Sequence, residues 1–245
     1  MKKVAIIGDT HGTTKFLECY KKILKNDPDV DKIIVLGDWF DPYDNIDLDT
    51  MLERYNEFVK IWKSDDRIIS ILGNHDIAGY IISNDSTTRT IKFRNIRQKI
   101  TDVIEPNLPE SYLTYKIGDY MFSHAGVSQE WLKDLEEYKR SYDRINYVDA
   151  IMNCKKGWER EQLADICPFY IFDYTRIGDN PHQSCVWIRP QALYDCAIDG
   201  YHQVVGHTRI EEITKVSLKN GKDLWLVDDD RKPNYLILNI EENVL

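Results

Sequence analysis

The stretch KVAIIGDTHG, residues 3–12, begins with an apolar run that ends at a glycine, and an aspartate and a histidine follow. Two further stretches repeat this arrangement: KIIVLGD, residues 32–38, and RIISILGN, residues 67–74. Short apolar runs bounded by glycine are typical of buried strands. Because the segments between them have a helical spacing of apolar residues, the sequence predicts parallel strands in an α/β layer.

The two intervening segments predict amphipathic helices. The first begins near Thr13 or Thr14 and runs through Leu24, and its apolar face is formed by Phe16, Leu17, Tyr20, Ile23 and Leu24. The second covers residues 48–63. In sheets of this kind ligands bind beyond the carboxyl ends of the strands, so we expect a site where the three glycines stand.

Later segments predict antiparallel strands, with one hairpin turning at Gly118 and another at Asn220. Late antiparallel strands after a parallel start favour a second sheet packed on the first. Because no Ser-, Gly- or Pro-rich linker interrupts the chain, we predict a single domain over residues 1–245. Residues at about 128–183 have weak periodicity and predict an irregular helical cap within that domain.

Composition limits the partners of the protein. The net charge is -9 and the pI about 5.2, so the surface repels polyanions and long nucleic acids are disfavoured as partners. The five cysteines form no C-x-x-C pair, which argues against a disulfide scaffold or a zinc-cysteine site. With no signal peptide and no membrane-spanning run evident, we expect a cytoplasmic protein with no membrane partner.

Side chains that bind metals follow the predicted strands. Asp9 and His11 are two residues apart, and in an extended segment both project to the same side. A carboxylate such as that of Asp38 can bridge two cations. Each motif alone is more often a strand-end turn or a core histidine than a ligand, but together they predict a two-metal hydrolytic centre. The predicted ligands are Asp9, His11, Asp38, Asn74, His124 and His207. This mixture of oxygen and imidazole suits Mn, Fe, Zn or a similar transition ion better than Ca.

The order GDTHG, GDWFD, GNHD, SHAG and GHT, over residues 8–208, resembles the calcineurin-like metallophosphoesterase superfamily. SHAG and the terminal GHT look most like the phosphoprotein phosphatase branch, which includes bacterial and phage serine/threonine phosphatases and symmetrical diadenosine tetraphosphatases. The resemblance implies two packed mixed β-sheets flanked by helices, a four-layer α/β/β/α sandwich. It also implies that Asp9, His11 and Asp38 bind the first metal, and that Asp38, Asn74, His124 and His207 bind the second.

The chain departs from the branch where substrate phosphate is usually bound. Pro42 and Leu72 stand where the branch commonly has arginines. A W-x-R segment points instead to Arg189, and Arg176 and Arg209 are further candidates for phosphate binding. These departures weaken the prediction of protein-phosphatase specificity and leave the metal centre unaffected.

The expected reaction is hydrolysis of a phosphoester by a hydroxide that bridges two cations. His75 is the candidate general acid for the leaving oxygen. Asp41 is expected to orient His75 and raise its pKa, with Asp76 a second candidate for that role.

Three functions stay open from the sequence. The first is a phosphomonoesterase acting on phosphoproteins or small phosphate esters. The second is a nucleotide or phosphodiester hydrolase, such as a dinucleoside polyphosphate hydrolase, and the third is a metal-bound scaffold for protein binding. Aromatic residues between 140 and 183 either form a cap that stacks a nucleotide base or shapes a peptide groove, or pack in the core, and packing is favoured. The basic stretch 89–99 is similarly interpreted as a solvated helix face rather than a phosphate site.

Overall fold

Strand β1 (Lys2–Ile7) lies inside the first sheet, which has the order β3-β2-β1-β9. The computed structural model describes residues 1–81, 97–138, 146–167, 179–229 and 232–242. β1 pairs in parallel with β2 (Lys32–Val35), which pairs in parallel with β3 (Ile68–Ser70). On its other side β1 pairs antiparallel with β9 (Leu236–Ile240). The predicted parallel layer is therefore confirmed.

The second sheet has the order β4-β5-β6-β8-β7 and is also mixed. Its strands are β4 (Thr114–Ile117), β5 (Tyr120–Ser123), β6 (His202–Val205), β7 (Thr214–Ser217) and β8 (Asp223–Leu226). β5, β6 and β8 are parallel, whereas β4 and β7 pair antiparallel with β5 and β8. Both predicted hairpins, β4–β5 and β7–β8, are therefore confirmed.

Alternate residues of β1 pack in two different layers, which explains the continuous apolar run of this strand. Val4 and Ile6 lie in a cluster with Phe122 and Val204 of the second sheet. Ile7 lies in a different cluster, with Phe16 of the first helix. Because both faces of the strand are covered, no polar alternation is expected.

Helices complete the four layers. The described helices are α1 (Lys15–Asn26), α2 (Leu48–Ser64), α3 (Asn74–Ile81), α4 (Arg97–Ile104), a 3-10 helix (Glu105–Glu110), α5 (Gln129–Tyr138), α6 (Tyr147–Met152), α7 (Arg160–Ile166) and α8 (Pro190–Cys196). Phe16 of α1 and Phe58 of α2 pack on the first sheet. Leu193 of α8 packs against Val205 and Leu226 of the second sheet. The predicted arrangement of two mixed sheets flanked by helices is confirmed.

The apolar face predicted for α1 is partly wrong. Phe16 is buried as predicted, but Leu24 is 43% exposed. Ile23 is also buried as predicted, and Cys19 completes the buried face, with Leu24 at its exposed edge. Lys15, which the pattern assigns to no buried face, is 2% exposed.

The predicted cap is described only in part. Helices α5, α6 and α7 fall within it, whereas residues 139–145 and 168–178, with the aromatic residues among them, lie outside the described residues. Most of the basic stretch 89–99 also lies outside them. Tyr147 and Trp158 are buried in the same cluster as Phe16 and are core residues. The cap and the single domain stay predictions.

Two global features accompany this fold. Within the described ranges, no helix is both long and apolar enough to cross a membrane. The five cysteines are all free thiols.

Candidate metal centre

The predicted metal ligands converge because the parallel strands of both sheets end at one edge of the sandwich. Asp9 lies two residues beyond β1, and Asp38 lies three residues beyond β2. Asn74 begins α3, four residues beyond β3. His124 and His207 come from the second sheet, immediately after β5 and two residues after β6. All of these side chains are buried, and so is that of His11.

One group of ligand atoms comes entirely from the first sheet. His11 Nε2 lies 3.8 Å from Asp9 Oδ2 and 3.7 Å from Asp38 Oδ2. One atom from each of the three side chains lies within 4.8 Å of the others. Atoms at these separations can contact a single ion placed among them, because transition ions bind nitrogen and oxygen at about 2.0–2.2 Å.

A second group surrounds His124. Its Nε2 lies 2.8 Å from Asn74 Oδ1, 3.3 Å from Asp38 Oδ2 and 3.2 Å from His207 Nδ1. Asp38 therefore belongs to both groups, and the same Oδ2 atom lies close to His11 and to His124. This is the arrangement expected of a carboxylate that bridges two cations.

The three imidazoles each place one ring nitrogen against a backbone carbonyl. His11 Nδ1 lies 3.2 Å from Phe40 O, His124 Nδ1 lies 2.7 Å from Leu36 O, and His207 Nε2 lies 3.1 Å from Trp187 O. Since a carbonyl only accepts, we assign the ring N–H to those nitrogens. When the ring is neutral, the other nitrogen of each histidine turns a lone pair towards the centre, which is the tautomer that a metal requires. The residues present therefore fit divalent transition ions.

Burial and charge shift the pKa values of these ligands. Burial lowers the pKa of His11 to about 4 and holds that of His207 well below its ordinary value. Burial also opposes the charge on His124, but the carboxylates of Asp38 and Asp9 outweigh it and raise the pKa to about 10. For Asp38, burial acts to raise the pKa, yet the imidazoles of His124 and His75 hold it below its usual range. Asp38 thus keeps the negative charge that favours cation binding.

The backbone is strained at the site. Among the described residues, five non-glycine residues have a left-handed backbone, and four of them are site residues: His11 (φ 44°), Asp38 (φ 53°), Asp41 (φ 62°) and His207 (φ 60°). Such conformations are disfavoured for residues with a Cβ and are concentrated at functional sites. The fold holds them with local hydrogen bonds: His207 N, for example, donates to both carboxylate oxygens of Asp9 at 3.0 Å.

Glycines before the ligands leave room for carboxylates. A Cβ on Gly206 would stand 2.1 Å from Asp9 Oδ1, and a Cβ on Gly73 would stand 2.0 Å from Asp38 Oδ1. These distances are far below van der Waals contact, so only glycine allows the two strand ends to approach the ligands. This explains the glycines that precede Asn74 and His207.

His75 lies beside the ligands and pairs with Asp41. Its Nδ1 is 2.9 Å from Asp41 Oδ2, and its Nε2 is 3.9 Å from Asp38 Oδ2. Burial lowers the pKa of His75, but the charges of Asp38 and Asp41 outweigh burial, and the net shift is upwards.

Asp76 has a different position: its oxygens accept from the backbone N–H groups of Asp38, Trp39 and Gly73 at 2.7–2.9 Å. Asp76 therefore organises the ligand loop, and Asp41 is the residue placed to orient His75.

Two of the three candidate arginines lie near this centre. Arg189 Nη1 donates to His207 O at 3.1 Å and to Thr208 Oγ1 at 3.2 Å. The Arg209 guanidinium carbon lies 4.5 Å from the ring centroid of Tyr43. Arg176 lies outside the described residues.

Sequence reasoning missed three residues near the centre. Tyr43, two residues after Asp41, has its ring centroid 4.4 Å from that of His11. Asp228 and Asp229 follow β8 and face the buried Lys15, whose Nζ lies 3.8 Å and 3.1 Å from their respective Oδ1 atoms. The signal that found the other site residues, a polar side chain just beyond a parallel strand, was also present at Asp228.

Comparisons with known proteins agree with this geometry. A family model described as calcineurin-like phosphoesterase matches residues 2–170. A protein serine/threonine phosphatase from Saccharomyces cerevisiae has a similar structure, with a TM-score of 0.53 at 12% identity over 100% of this chain and 82% of that chain. A mutant of a cold-active protein tyrosine phosphatase aligns with a TM-score of 0.51 at 17% identity, over 94% of this chain and 72% of that chain. At these identities the structural likenesses show the fold alone. No curated protein sequence matches the chain.

Proposed function

Because the chain belongs to the calcineurin-like phosphoesterase family, we propose that it is a dinuclear metal-dependent phosphatase that hydrolyses phosphomonoesters. The substrate class is a phosphoprotein or a small phosphate ester. The observation that carries the proposal is the position of Asp38 Oδ2, which lies 3.7 Å from His11 Nε2 and 3.3 Å from His124 Nε2. A single carboxylate oxygen between two inward-facing imidazoles is placed to bridge two cations.

The first ion would be held by Asp9, His11 and Asp38, and the second by Asp38, Asn74, His124 and His207. Their nitrogen and oxygen atoms suit Mn, Fe, Zn or a similar divalent ion. When bound, such ions lower the pKa of water and neutralise charge on phosphate oxygens. The carbonyls of Phe40, Leu36 and Trp187 accept from the ring nitrogens of His11, His124 and His207 that face away from the centre, and so leave the other nitrogen of each ring for an ion.

His75 would protonate the leaving oxygen of the ester. Its Nδ1 faces Asp41 at 2.9 Å, so Nε2 is the nitrogen turned towards the ligand cluster. Asp41 stabilises the protonated ring, and the raised pKa keeps the donated proton on His75 over more of the neutral range. The proton then passes from Nε2 to the leaving oxygen as the ester bond breaks.

Arg189 and Arg209 would contact the phosphate group, with Arg176 as a third candidate from outside the described part of the chain. Arg189 is anchored to the segment that carries His207, because its Nη1 donates to the carbonyl of that residue. Its charge therefore stays at the edge of the centre. Guanidinium groups match the geometry of phosphate oxygens and are well suited to this role.

Pro42 and Leu72 favour a second candidate function. Both residues are buried beside the ligand loops, and neither can contact a phosphate as an arginine would. Weaker binding of a terminal phosphate is compatible with a nucleotide or phosphodiester hydrolase, such as a dinucleoside polyphosphate hydrolase. The two functions differ in whether the hydrolysed phosphate carries one ester bond or two.

Turnover of para-nitrophenyl phosphate and of its bis ester, with added Mn²⁺, separates these functions. We expect the monoester to be hydrolysed and the bis ester to be hydrolysed far more slowly. Preference for the bis ester would favour the diesterase. No turnover of either ester by protein that binds two metals would favour a non-catalytic, protein-binding role.

His75→Asn tests the proton donor. We expect kcat for phenyl phosphate, which has a poor leaving group, to fall about 10²-fold or more, the range typical of general acid catalysis. The loss should be much smaller for para-nitrophenyl phosphate, because nitrophenolate leaves without a proton. His202→Asn is a matched control, since His202 begins β6 at the end opposite His207. Equal losses on both substrates would rule out proton donation by His75.

A further inference from the structure

Tyr43 connects a metal-ligand histidine to an arginine. It follows Pro42 in the loop after β2, and its side chain is 48% exposed. Its ring centroid lies 4.4 Å from that of His11, with the two planes at 61°. On the same ring, the guanidinium carbon of Arg209 lies 4.5 Å from the centroid. His11 and Arg209 belong to segments that follow strands of different sheets, so the Tyr43 ring joins the two sheets at the rim of the centre.

Stacking on a ring restricts a guanidinium without using its hydrogen-bond donors. The attraction acts through the flat face of the group, whereas its five N–H donors lie in its plane. Arg209 is exposed to solvent, and an exposed arginine otherwise samples many rotamers. Contact with Tyr43 therefore keeps the charge near His11 through the face of the guanidinium group and not through its N–H donors.

Arg189 has a different environment. It is partly buried, and its Nη1 donates to His207 O and Thr208 Oγ1, so part of its donor set already serves the protein. Arg209 comes two residues after His207, whose left-handed backbone redirects the chain at that point. The two arginines thus have different contacts: Arg189 donates to the segment that carries His207, whereas the guanidinium of Arg209 lies over the ring of Tyr43.

We propose that Tyr43 is a positioning residue that holds Arg209 beside His11, where the guanidinium binds the phosphate group of the substrate. The Tyr43–Arg209 pair would replace the phosphate contacts that are missing at Pro42 and Leu72. This inference rests on the proposed phosphatase function. It assigns a role in phosphate affinity to the aromatic residue that follows Pro42, one of the two positions where the related phosphatases commonly have an arginine.

Two substitutions at Tyr43 provide the test. Tyr43→Leu removes the stacking ring, and we expect the KM for para-nitrophenyl phosphate and the inhibition constant of orthophosphate to rise about fivefold to tenfold. Because the stack acts on affinity, kcat should change by less than about twofold. Tyr43→Phe retains the ring and should restore both constants to within about twofold of the original values. Elemental analysis should give the same metal content for all three proteins.

A double-mutant cycle with Arg209→Gln tests the coupling. If Tyr43 acts through Arg209, adding Tyr43→Leu to Arg209→Gln should raise the orthophosphate constant no further. Independent effects would overturn the proposal, and so would a loss in Tyr43→Phe as large as that in Tyr43→Leu, which would indicate a hydroxyl contact. A lower metal content in Tyr43→Leu would equally overturn it, because Tyr43 would then support His11.

Orthophosphate binding by calorimetry to the Mn²⁺-loaded protein keeps this test separate from catalysis. If neither para-nitrophenyl phosphate nor its bis ester is hydrolysed, the proposed function fails. The calorimetric ratio between Tyr43→Leu and Tyr43→Phe would still show whether the pair binds phosphate. If the protein hydrolyses monoesters but Tyr43→Leu and Tyr43→Phe bind orthophosphate equally well, the Tyr43 proposal alone is rejected.

Discussion

At the scale of single residues, Asp38 combines charge, position and an unusual backbone. Its φ is 53°, and its Oδ1 accepts from the backbone N–H of His75 at 2.9 Å while Oδ2 faces His11 and His124. The left-handed conformation aims the side chain back towards the strand ends. One carboxylate can therefore belong to both ligand groups, whereas an extended residue at this position would direct its side chain elsewhere.

Replacing Asp38 by asparagine should remove both metals. Asparagine tolerates a left-handed backbone and keeps the shape of the side chain, so the change is chiefly one of charge and bridging capacity. We expect elemental analysis after Mn²⁺ loading and desalting to give much less than one metal per chain. Asp41→Asn is the matched control, since it also has a positive φ (62°) and should retain two metals. Two metals bound to Asp38→Asn would exclude the bridging role.

The sequence predicted the residues just beyond the strands better than those that reach the centre from loops. Asp9 and Asp38 could be predicted because glycine and a carboxylate follow apolar runs whose ends must meet. The proximity of Tyr43 to His11 and Arg209 could not be predicted, because it depends on how the loop after β2 meets the segment after β6. No local pattern in the sequence reports contacts between residues 43 and 209.

At the scale of elements, helix α1 carries a buried cation. Lys15, in its first turn, is 2% exposed and its Nζ lies 3.1 Å from Asp229 Oδ1. The carboxylates come from the end of β8, more than 200 positions later, which is why helical periodicity could not identify Lys15 as buried. Periodicity also placed Leu24 on the apolar face, since it registers apolar residues and not the partners available to a lysine.

Lys15→Met should destabilise the protein strongly. The substitution keeps the volume of the side chain but leaves the carboxylates of Asp228 and Asp229 buried without a cation, and removing one partner of a buried pair typically costs about 3–5 kcal/mol. We expect that loss in the free energy of unfolding measured by urea titration. Lys21→Met, on the exposed face of the same helix, should change it by less than about 0.5 kcal/mol.

A second substitution separates the effect of charge from that of burial. Adding Asp229→Asn to Lys15→Met should recover part of the lost stability, because it removes one of the unpaired charges. If Lys15→Met and Lys21→Met had similar unfolding free energies, the buried cluster would have no measurable role in holding α1 against the end of β8.

At the scale of the whole molecule, the sequence predicted both sheets, their hairpins and their flanking helices, because each depends on strong local patterns of period and turn chemistry. The prediction that the late strands are antiparallel is wrong for β5, β6 and β8, which pair in parallel, since parallel neighbours are far apart in sequence and no turn marks them. The cap at about 128–183 has weak periodicity, and only part of it lies among the described residues.

Metal binding should stabilise the entire fold, because the ligands come from both sheets. Asp9, His11, Asp38 and Asn74 follow strands of the first sheet, whereas His124 and His207 follow strands of the second. Unfolding separates these two sets, so an ion that they share binds the native state alone. At a free Mn²⁺ concentration of 100 times Kd, one site adds about 2.7 kcal/mol to the free energy of unfolding.

For a chain of this length, that gain raises Tm by about 5–10 °C. The measurement is thermal unfolding of chelator-treated protein across a Mn²⁺ titration, and Tm should rise with the logarithm of metal concentration above Kd. Ca²⁺ at equal concentrations should raise Tm less, because imidazole ligands suit transition ions better than an ion that prefers oxygen. Asp38→Asn should lose most of the metal-dependent increase, since its carboxylate is shared by both ligand groups. If Tm did not respond to Mn²⁺ while the protein still bound it, the two sheets would not be joined through a common ion, and the shared position of Asp38 would have no consequence for stability.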